Sequence, residues 1–143
     1  MTDQPDHLAI RHHHIGWWCL AAFATLGLVL ESMHGFKVAF YLDVTNETRR
    51  HMWTLAHAHG TLLALVNVGL AVALDRLGGW SPGRRALVSS SLLGATVLVP
   101  LGFFLGGVWI HDGDPGMGVL LVPLGALLMI VSAVGTAMAA KTD

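Results

Sequence analysis

Charge is what this sequence has least of. Only 12% of its 143 residues are Asp, Glu, Lys or Arg, whereas soluble domains carry about 25%. The net charge of −1 offers no basic surface, so nucleic acid is not expected as a partner. The single cysteine, Cys19, excludes an intramolecular disulfide and any metal site built from several cysteines. No nucleophile–base motif, P-loop or dinucleotide fingerprint is present, which leaves enzymatic activity undecided.

Apolar residues are abundant, at 54% of the chain with a mean hydropathy of +0.62. They fall into four long segments, at approximately 15–42, 50–74, 83–110 and 115–140. Each is long enough to cross the ~30 Å hydrocarbon core of a bilayer as a helix. We therefore expect an all-α fold, a four-helix transmembrane bundle that forms one membrane domain over residues 1–143 and contacts the lipid bilayer.

An even number of spans places both termini on one side of the membrane. Five cationic residues fall on that side: Arg11, Arg76, Arg84, Arg85 and Lys141. Three fall on the other: Lys37, Arg49 and Arg50. Because cytoplasmic loops carry an excess of Lys and Arg, this asymmetry favours cytoplasmic termini and a multi-pass protein of the cell (inner) membrane.

Polar residues mark the ends of the first two segments. Residues 1–11 are expected to form a short mobile tail. The run His12–His14 is expected to be a polar cap on the first helix, with metal binding as the less favoured alternative. Thr45 or Asn46 is expected to cap the second helix.

The second segment opens with a histidine-rich stretch that contains His57 and His59. Ionisable residues inside membrane segments are costly and are functional candidates. In the first segment, Glu31 and His34 are three residues apart and share one helix face. The first segment is longer than a membrane span, so its helix either tilts and projects or bends at Gly35. If it ends near Leu42, His34 lies about 10–14 Å below the connecting turn, at nearly the same depth as His57 and His59.

A helical wheel separates His57 and His59 by ~200°, so they point in different directions and have different roles. The narrower arc between them is expected to face the bundle interior. It carries Met52, Trp53, Ala56, Gly60, Leu63, Ala64 and Asn67. The small residues of this arc form a groove that suits either a flat cofactor or close helix packing, and Asn67 is expected to hydrogen-bond between helices.

Histidines on two antiparallel helices beside a small-residue groove suit haem, held by axial imidazoles. The stretch Ala56-His57-Ala58-His59-Gly60, together with His34, resembles the haem-bearing helices of multi-pass cytochromes b and of the catalytic subunit of haem–copper oxidases. The resemblance implies haem b and a role in electron transport, with axial ligands among His34, His57 and His59.

Residues near the mouth of the second helix complete the expected haem site. Arg49 and Arg50 lie just outside the apolar segment, where they can pair with haem propionates. Trp53 can pack against the ring. His51 sits at the helix mouth, so we expect substitution of His34, but not of His51, to remove the cofactor.

Two alternatives remain open at this point. The first is a metal site without porphyrin, which would bind copper, zinc or iron through nitrogen and oxygen ligands. Its ligands would be Glu31, His34, His57 or His59, and His111 or Asp114. Copper is the favoured ion because the site faces outward. The second is a cofactor-free accessory subunit of a larger membrane complex or homo-oligomer, in which the polar residues join helices or handle protons.

The third and fourth segments are rich in glycine and carry almost no ionisable residues. Glycine lets helix backbones approach each other closely inside a membrane. These segments are therefore expected to pack tightly and to close the bundle, while the chemistry belongs to the first two.

Overall fold

The computed structural model describes residues 6–43 and 47–140. Its helices are α1 (His7–Gly35), α2 (Thr48–Arg76), α3 (Pro82–Val108) and α4 (Leu121–Ala139), the last preceded by a 3-10 turn, Met117–Leu120. All four are long and apolar enough to cross a membrane. The predicted all-helical, four-span fold is therefore confirmed.

The first helix begins earlier than expected. Asp6 is its N-cap, and the Asp6 carboxylate accepts a hydrogen bond from the Leu8 backbone N–H at 3.1 Å. This cap satisfies an N–H group that a helix start leaves free, so residues from His7 onwards are helical. The prediction of an irregular tail over residues 1–11 is wrong for residues 7–11, and residues 1–5 lie outside the described part of the chain.

The first helix also ends earlier, at Gly35 rather than Leu42. Lys37 adopts a left-handed conformation with φ of 54°. The Val38 N–H donates to the Met33 carbonyl at 3.0 Å, and the Lys37 N–H donates to the His34 carbonyl at 3.1 Å. These two bonds form a Schellman motif, which terminates a helix.

The other helix starts follow from local sequence. α2 begins at Thr48 after Glu47, and the predicted caps Thr45 and Asn46 lie outside the described residues. Ser81 caps α3, accepting a hydrogen bond from the Arg84 N–H. The fourth helical segment starts at residue 117 instead of 115. Residues 111–114 form a tight turn closed by backbone hydrogen bonds, and Gly116 is extended, with its N–H donating to the Gly106 carbonyl oxygen at 2.9 Å.

The helices pack in chain order, α1 on α2, α2 on α3 and α3 on α4. The predicted interior face of α2 is confirmed, because all seven of its residues are buried. Its small-residue groove receives α1: a Cβ at Gly60 would overlap the Phe23 ring, and a Cβ at Gly16 would approach the Ala64 carbonyl oxygen at 2.9 Å. The groove is thus a helix-packing seam.

The glycines of α3 and α4 have the close-packing role that their sequence predicts. A Cβ at Gly94 would lie 2.6 Å from Leu128 of α4, and a Cβ at Gly125 would lie 2.6 Å from Val99 of α3. At Gly125 the Val99 backbone nitrogen would also lie only 3.0 Å away, so that position requires glycine for the observed helix approach, whereas at Gly94 the end of the Leu128 side chain would have to shift.

The two ends of the bundle differ in content. At the terminal end, Asp6 forms an ion pair with Arg85, and a Cβ at Gly79 would approach the Ala139 backbone closely. Both described chain ends therefore lie beside the α2–α3 loop. The opposite end, here called the site end, carries the loop between α1 and α2 and the turn between α3 and α4.

Candidate functional site

The loop that follows α1 folds over the site end and is held there by aromatic side chains. Tyr41 of this loop is 4% exposed. Trp53 of α2 stacks on Tyr41, with ring centroids 6.3 Å apart, and on Phe104 of α3 at 5.3 Å. The Trp53 indole N–H donates to the Phe104 carbonyl oxygen at 3.0 Å. Trp53 therefore anchors the loop to two helices.

Arg49 provides a second anchor for the same loop. Its Nε donates to the Gly107 carbonyl oxygen at 3.0 Å, and its Nη1 donates to the Phe40 carbonyl oxygen at 3.0 Å. Its guanidinium also lies over the Phe40 ring, 4.1 Å from the centroid. Arg49 and Trp53 were predicted to contact a cofactor, and in this structure both hold the loop that covers the site.

A polar cavity of about 220 Å³, the outer cavity, lies under this loop between α1 and α2. It is lined by Glu31, His34, Tyr41, Glu47, Arg50, His51 and Thr54. Glu31 and His34 lie on one face of α1, as their spacing predicts. Arg50 Nη2 forms an ion pair with Glu47 Oε1 at 2.7 Å. Imidazole and carboxylate groups from two helices thus meet in one water-accessible space.

The prediction that His34, His57 and His59 share one depth is wrong. α1 ends at Gly35, so His34 lies in its last turn. His57 lies nine residues after the start of α2, about 14 Å along the helix axis. The histidine at the level of His34 is His51, which lines the same cavity.

An inner cavity of about 200 Å³ lies deeper between the same helices. It shares Glu31, Tyr41 and Thr54 with the outer cavity. The residues particular to it are Ala24, Gly27, Leu30 and His57. Glu31 therefore lies between two histidine environments, with His34 and His51 on one side and His57 on the other.

His57 and His59 point to different helices, as the helical wheel predicts. His57 Nδ1 donates to the Phe23 carbonyl oxygen of α1 at 2.8 Å. His59 Nδ1 donates to the Leu55 carbonyl oxygen at 2.9 Å, and its ring lies 4.8 Å from the Phe103 ring of α3. His59 is not among the described residues that line either cavity.

His111 lies in the exposed turn between α3 and α4. It pairs with Asp114 through backbone hydrogen bonds of 3.2 and 2.8 Å. It is not among the described residues that line the two cavities. The structure therefore does not bring His111 together with the other histidines that the sequence groups into one metal site.

No preformed metal centre is present within residues 6–43 and 47–140: no three His, Cys, Asp or Glu side chains converge closely enough to hold an ion. Glu31, His34 and His51 are nevertheless all exposed and line one cavity. Exposed side chains change rotamer readily. The described geometry therefore provides candidate ligands around a shared space, with their side chains turned apart.

A larger cleft of about 490 Å³ lies between α1 and α3. Its walls are almost entirely apolar. The lining residues include Cys19, Phe23, Thr96 and Pro100. Thr96 is already engaged in hydrogen bonds to Asn67 and to the Leu92 carbonyl. Because the described lining includes no histidine or carboxylate, the candidate chemistry belongs to the two smaller cavities.

Sequence reasoning missed one buried histidine, His12, which has no exposed surface. Its Nδ1 lies 2.7 Å from Asn67 Oδ1, and its Nε2 lies 2.9 Å from Ser89 Oγ. The Asn67 amide nitrogen in turn donates to Thr96 Oγ1 at 2.7 Å. These four residues form the His12 network, which joins α1, α2 and α3 and confirms the predicted interhelical role of Asn67.

A sequence signal for the burial of His12 does exist. His12 shares a helix face with Ala9 and Gly16, and all three are buried against α2 and α3. Small residues at three- and four-residue spacing mark a packing face in membrane helices. Reading His12–His14 as one cap treats the three alike, whereas His13 and His14 are exposed.

No protein-family model matches the chain, and no curated protein or solved structure is significantly similar to it.

Proposed function

We propose that this chain is a multi-pass membrane protein that binds a transition-metal ion in the outer cavity and uses it in a redox or electron-transfer role. One observation carries the proposal. Glu31 and His34 of α1 and His51 of α2 line the same cavity, under a loop held by Arg49 and Trp53. Two imidazoles and one carboxylate form a ligand set for copper, zinc or non-haem iron.

The polar groups at the rim favour a cation over an anion. Glu31 and Glu47 line the outer cavity together with one guanidinium, that of Arg50. Arg50 is already paired with Glu47, so the charge of Glu31 is left to attract a bound ion. Copper fits the redox role best among the candidate ions, because it changes oxidation state and accepts imidazole nitrogen and carboxylate oxygen.

Metal binding requires the three side chains to turn toward each other. His34 lies in the last turn of α1, and His51 lies in the first turn of α2. Both are exposed, so their rings are not locked by packing. Tyr41, in contrast, is buried and stacked. The mobile His34 and His51 side chains would therefore hold the ion beside Tyr41, whose position is fixed by packing.

Haem is the second candidate, because His57 has the tautomer that is usual for a metal ligand. A carbonyl oxygen only accepts hydrogen bonds, so His57 Nδ1 carries the proton, which is the arrangement common in metal-ligating histidines. The groove expected to receive the ring is, however, filled by Phe23 against Gly60. Haem in that groove would require α1 to separate from α2, whereas the outer cavity is already open between the two helices.

The proposal also covers the membrane in which the protein lies, its orientation there and its partners. The five-to-three distribution of Lys and Arg supports cytoplasmic termini in the cell (inner) membrane, with the site end facing outward. α4 exposes a row of large apolar side chains, which suits lipid, a second copy or another subunit of a complex. These include Leu124, Leu127, Ile130 and Val134.

An absorption spectrum and elemental metal analysis of the purified protein test the proposal. The full chain is expressed without a polyhistidine tag, which would itself bind metal, and is extracted in mild detergent. We expect the purified protein to contain a transition metal and to show no Soret band. The double variant His34→Ala, His51→Ala should lose the metal. The exposed His13→Ala variant is the matched control. A Soret band would establish haem instead, and a metal-free, colourless protein would favour the cofactor-free subunit.

A further inference from the structure

The inner cavity has an imidazole of its own, that of His57. Because Nδ1 donates to the Phe23 carbonyl oxygen at 2.8 Å, the neutral ring keeps its lone pair on Nε2. The hydrogen bond also fixes the orientation of the ring. His57 lines the inner cavity, so an oriented imidazole is available at a deeper level than His34 and His51.

Gly27 makes this ring position accessible. A Cβ at Gly27 would lie 2.8 Å from His57 Nδ1 and 3.0 Å from Nε2, and closer still to the carbon between them. A methyl group there would push the ring away from α1 and break its bond to Phe23. Gly27 is therefore the α1 residue that lets the His57 ring lie against α1 and reach the Phe23 carbonyl.

Glu31 connects the two cavities. It lines both of them, as do Tyr41 and Thr54. Glu31 is exposed, and its long flexible side chain belongs to neither of the two described ion pairs. A carboxylate placed between two sets of imidazoles can serve as a ligand on either side, because each of its oxygens accepts ligation independently.

We infer that the inner cavity is a second metal position, held by His57 Nε2 and the Glu31 carboxylate, and that Glu31 is a ligand shared with the outer position. The ion would be of the same class, copper or zinc, with water completing its coordination. The inference rests on the proposed function, since it gives the outer ion a neighbouring position deeper in the bundle. Glu31 then governs occupancy of both positions, while His57 governs only the inner one.

Titration of the metal-free, untagged full chain with Cu(II) in detergent, followed by visible absorption and electron paramagnetic resonance, tests this arrangement. We expect a first and a second binding step with distinct spectra. His57→Ala and Gly27→Ala should both abolish the second step and keep the first. Glu31→Gln should weaken both. Gly69→Ala is the control for Gly27→Ala, because a Cβ at Gly69 meets no atom within 4 Å.

The outcomes separate the two proposals. Loss of the first step in His34→Ala and His51→Ala, with an unchanged titration in His57→Ala and Gly27→Ala, keeps the outer site and overturns the second position. Absence of Cu(II) binding in the unaltered chain overturns both. Circular dichroism of each variant establishes that it is folded, and Gly27→Ala tests His57 without removing the imidazole.

Discussion

The two ends of this bundle use histidine in opposite ways. At the terminal end, His12 is fully buried and both ring nitrogens have side-chain partners, Asn67 and Ser89. At the site end, His34 and His51 are exposed and face a cavity with Glu31. A buried polar group with complete hydrogen bonding stabilises one packing arrangement, whereas exposed imidazoles beside a carboxylate remain available for a ligand.

Hydrogen-bond directions make the His12 network self-consistent. The Asn67 amide nitrogen donates to Thr96 Oγ1 and to the Leu63 carbonyl oxygen, so Asn67 Oδ1 is left as an acceptor for His12 Nδ1–H. His12 Nε2 then accepts from the Ser89 hydroxyl. A neutral His12 satisfies every member of the network. The difference between the two ends therefore predicts that substitutions at one end change stability and that those at the other change metal affinity.

The largest expected effect is loss of metal from the outer cavity. His34→Ala and His51→Ala each remove an imidazole that lines it, so each should lower Cu(II) affinity by about 100-fold or more, since even residues that only support a ligand change affinity 10–100-fold. This reverses the prediction from sequence that His51→Ala is harmless, because the end of α1 at Gly35 pairs His34 with His51. Isothermal titration measures the affinity.

The same variants should leave stability almost unchanged, within about 0.5 kcal/mol, because both side chains are exposed. His13→Ala, on the exposed face of α1, provides the control for affinity and stability together. Full copper affinity in His51→Ala would mean that the outer cavity is not the metal site.

Next in size is the effect of opening the His12 network. His12→Ala leaves the Asn67 carbonyl oxygen and the Ser89 hydroxyl buried without their partner, which should cost about 2 kcal/mol of unfolding free energy. Copper affinity should not change, because His12 and the outer cavity lie at opposite ends of the bundle. Reversible unfolding in mixed detergent micelles measures the cost, with His13→Ala as the neighbouring control. An unaltered unfolding free energy would contradict the structural role of the network.

A smaller effect is expected where α1 crosses α2. Gly60→Ala places a methyl group against the Phe23 ring and should destabilise the protein by about 1–2 kcal/mol, as overpacking does. Gly69→Ala, on the exposed side of the same helix, should be neutral or slightly stabilising, by up to about 1 kcal/mol, because alanine favours helix. If Gly60→Ala is as stable as Gly69→Ala, Phe23 does not occupy the seam, and the groove would again be a candidate haem site.

The smallest effect is expected at His111. Its side chain lies on an exposed turn whose pairing with Asp114 uses backbone atoms. His111→Ala should therefore change copper affinity less than twofold and stability by less than about 0.5 kcal/mol. A large fall in copper affinity would restore His111 to the ligand set that the sequence suggests and would place the turn over the outer cavity.

Features with a strong period or a simple composition could be read from the sequence. The seven interior residues of α2 follow from the 3.6-residue period, which also separates His57 from His59. The glycines of α3 and α4 follow from the need for close approach in lipid. Each of these predictions depends on a single helix or on one type of residue, so it required no knowledge of the neighbouring helices.

The level of His34 could not be predicted, because Gly35 allows a bend in the first segment without showing that the helix ends there. Glycine is the usual residue at the left-handed position of a Schellman motif, but here Lys37 adopts it. The apolar residues that follow, 38–42, read as further helix. Seven extra helical residues would move His34 by about 10 Å relative to α2, which is enough to pair it with the wrong histidine.

The burial of His12 was equally hard to predict, for a different reason. Its partners Asn67 and Ser89 lie 55 and 77 positions away in the chain, so no local pattern joins them. Asn67 alone suggests a hydrogen bond between helices without naming the donor. The outer cavity is hard to predict for the same reason. It is formed by a loop that covers two helix ends, so no local sequence motif marks it.

Pulsed electron paramagnetic resonance of the Cu(II)-loaded full chain tests the central claim most directly, because it detects imidazole nitrogens bound to copper. The account predicts imidazole modulation that weakens in His34→Ala and in His51→Ala and is unchanged in His13→Ala and His111→Ala. In the double variant the outer-site copper signal itself should be lost. Copper that fails to bind, or an identical spectrum in the double variant, would contradict the assignment of the outer cavity as a metal site.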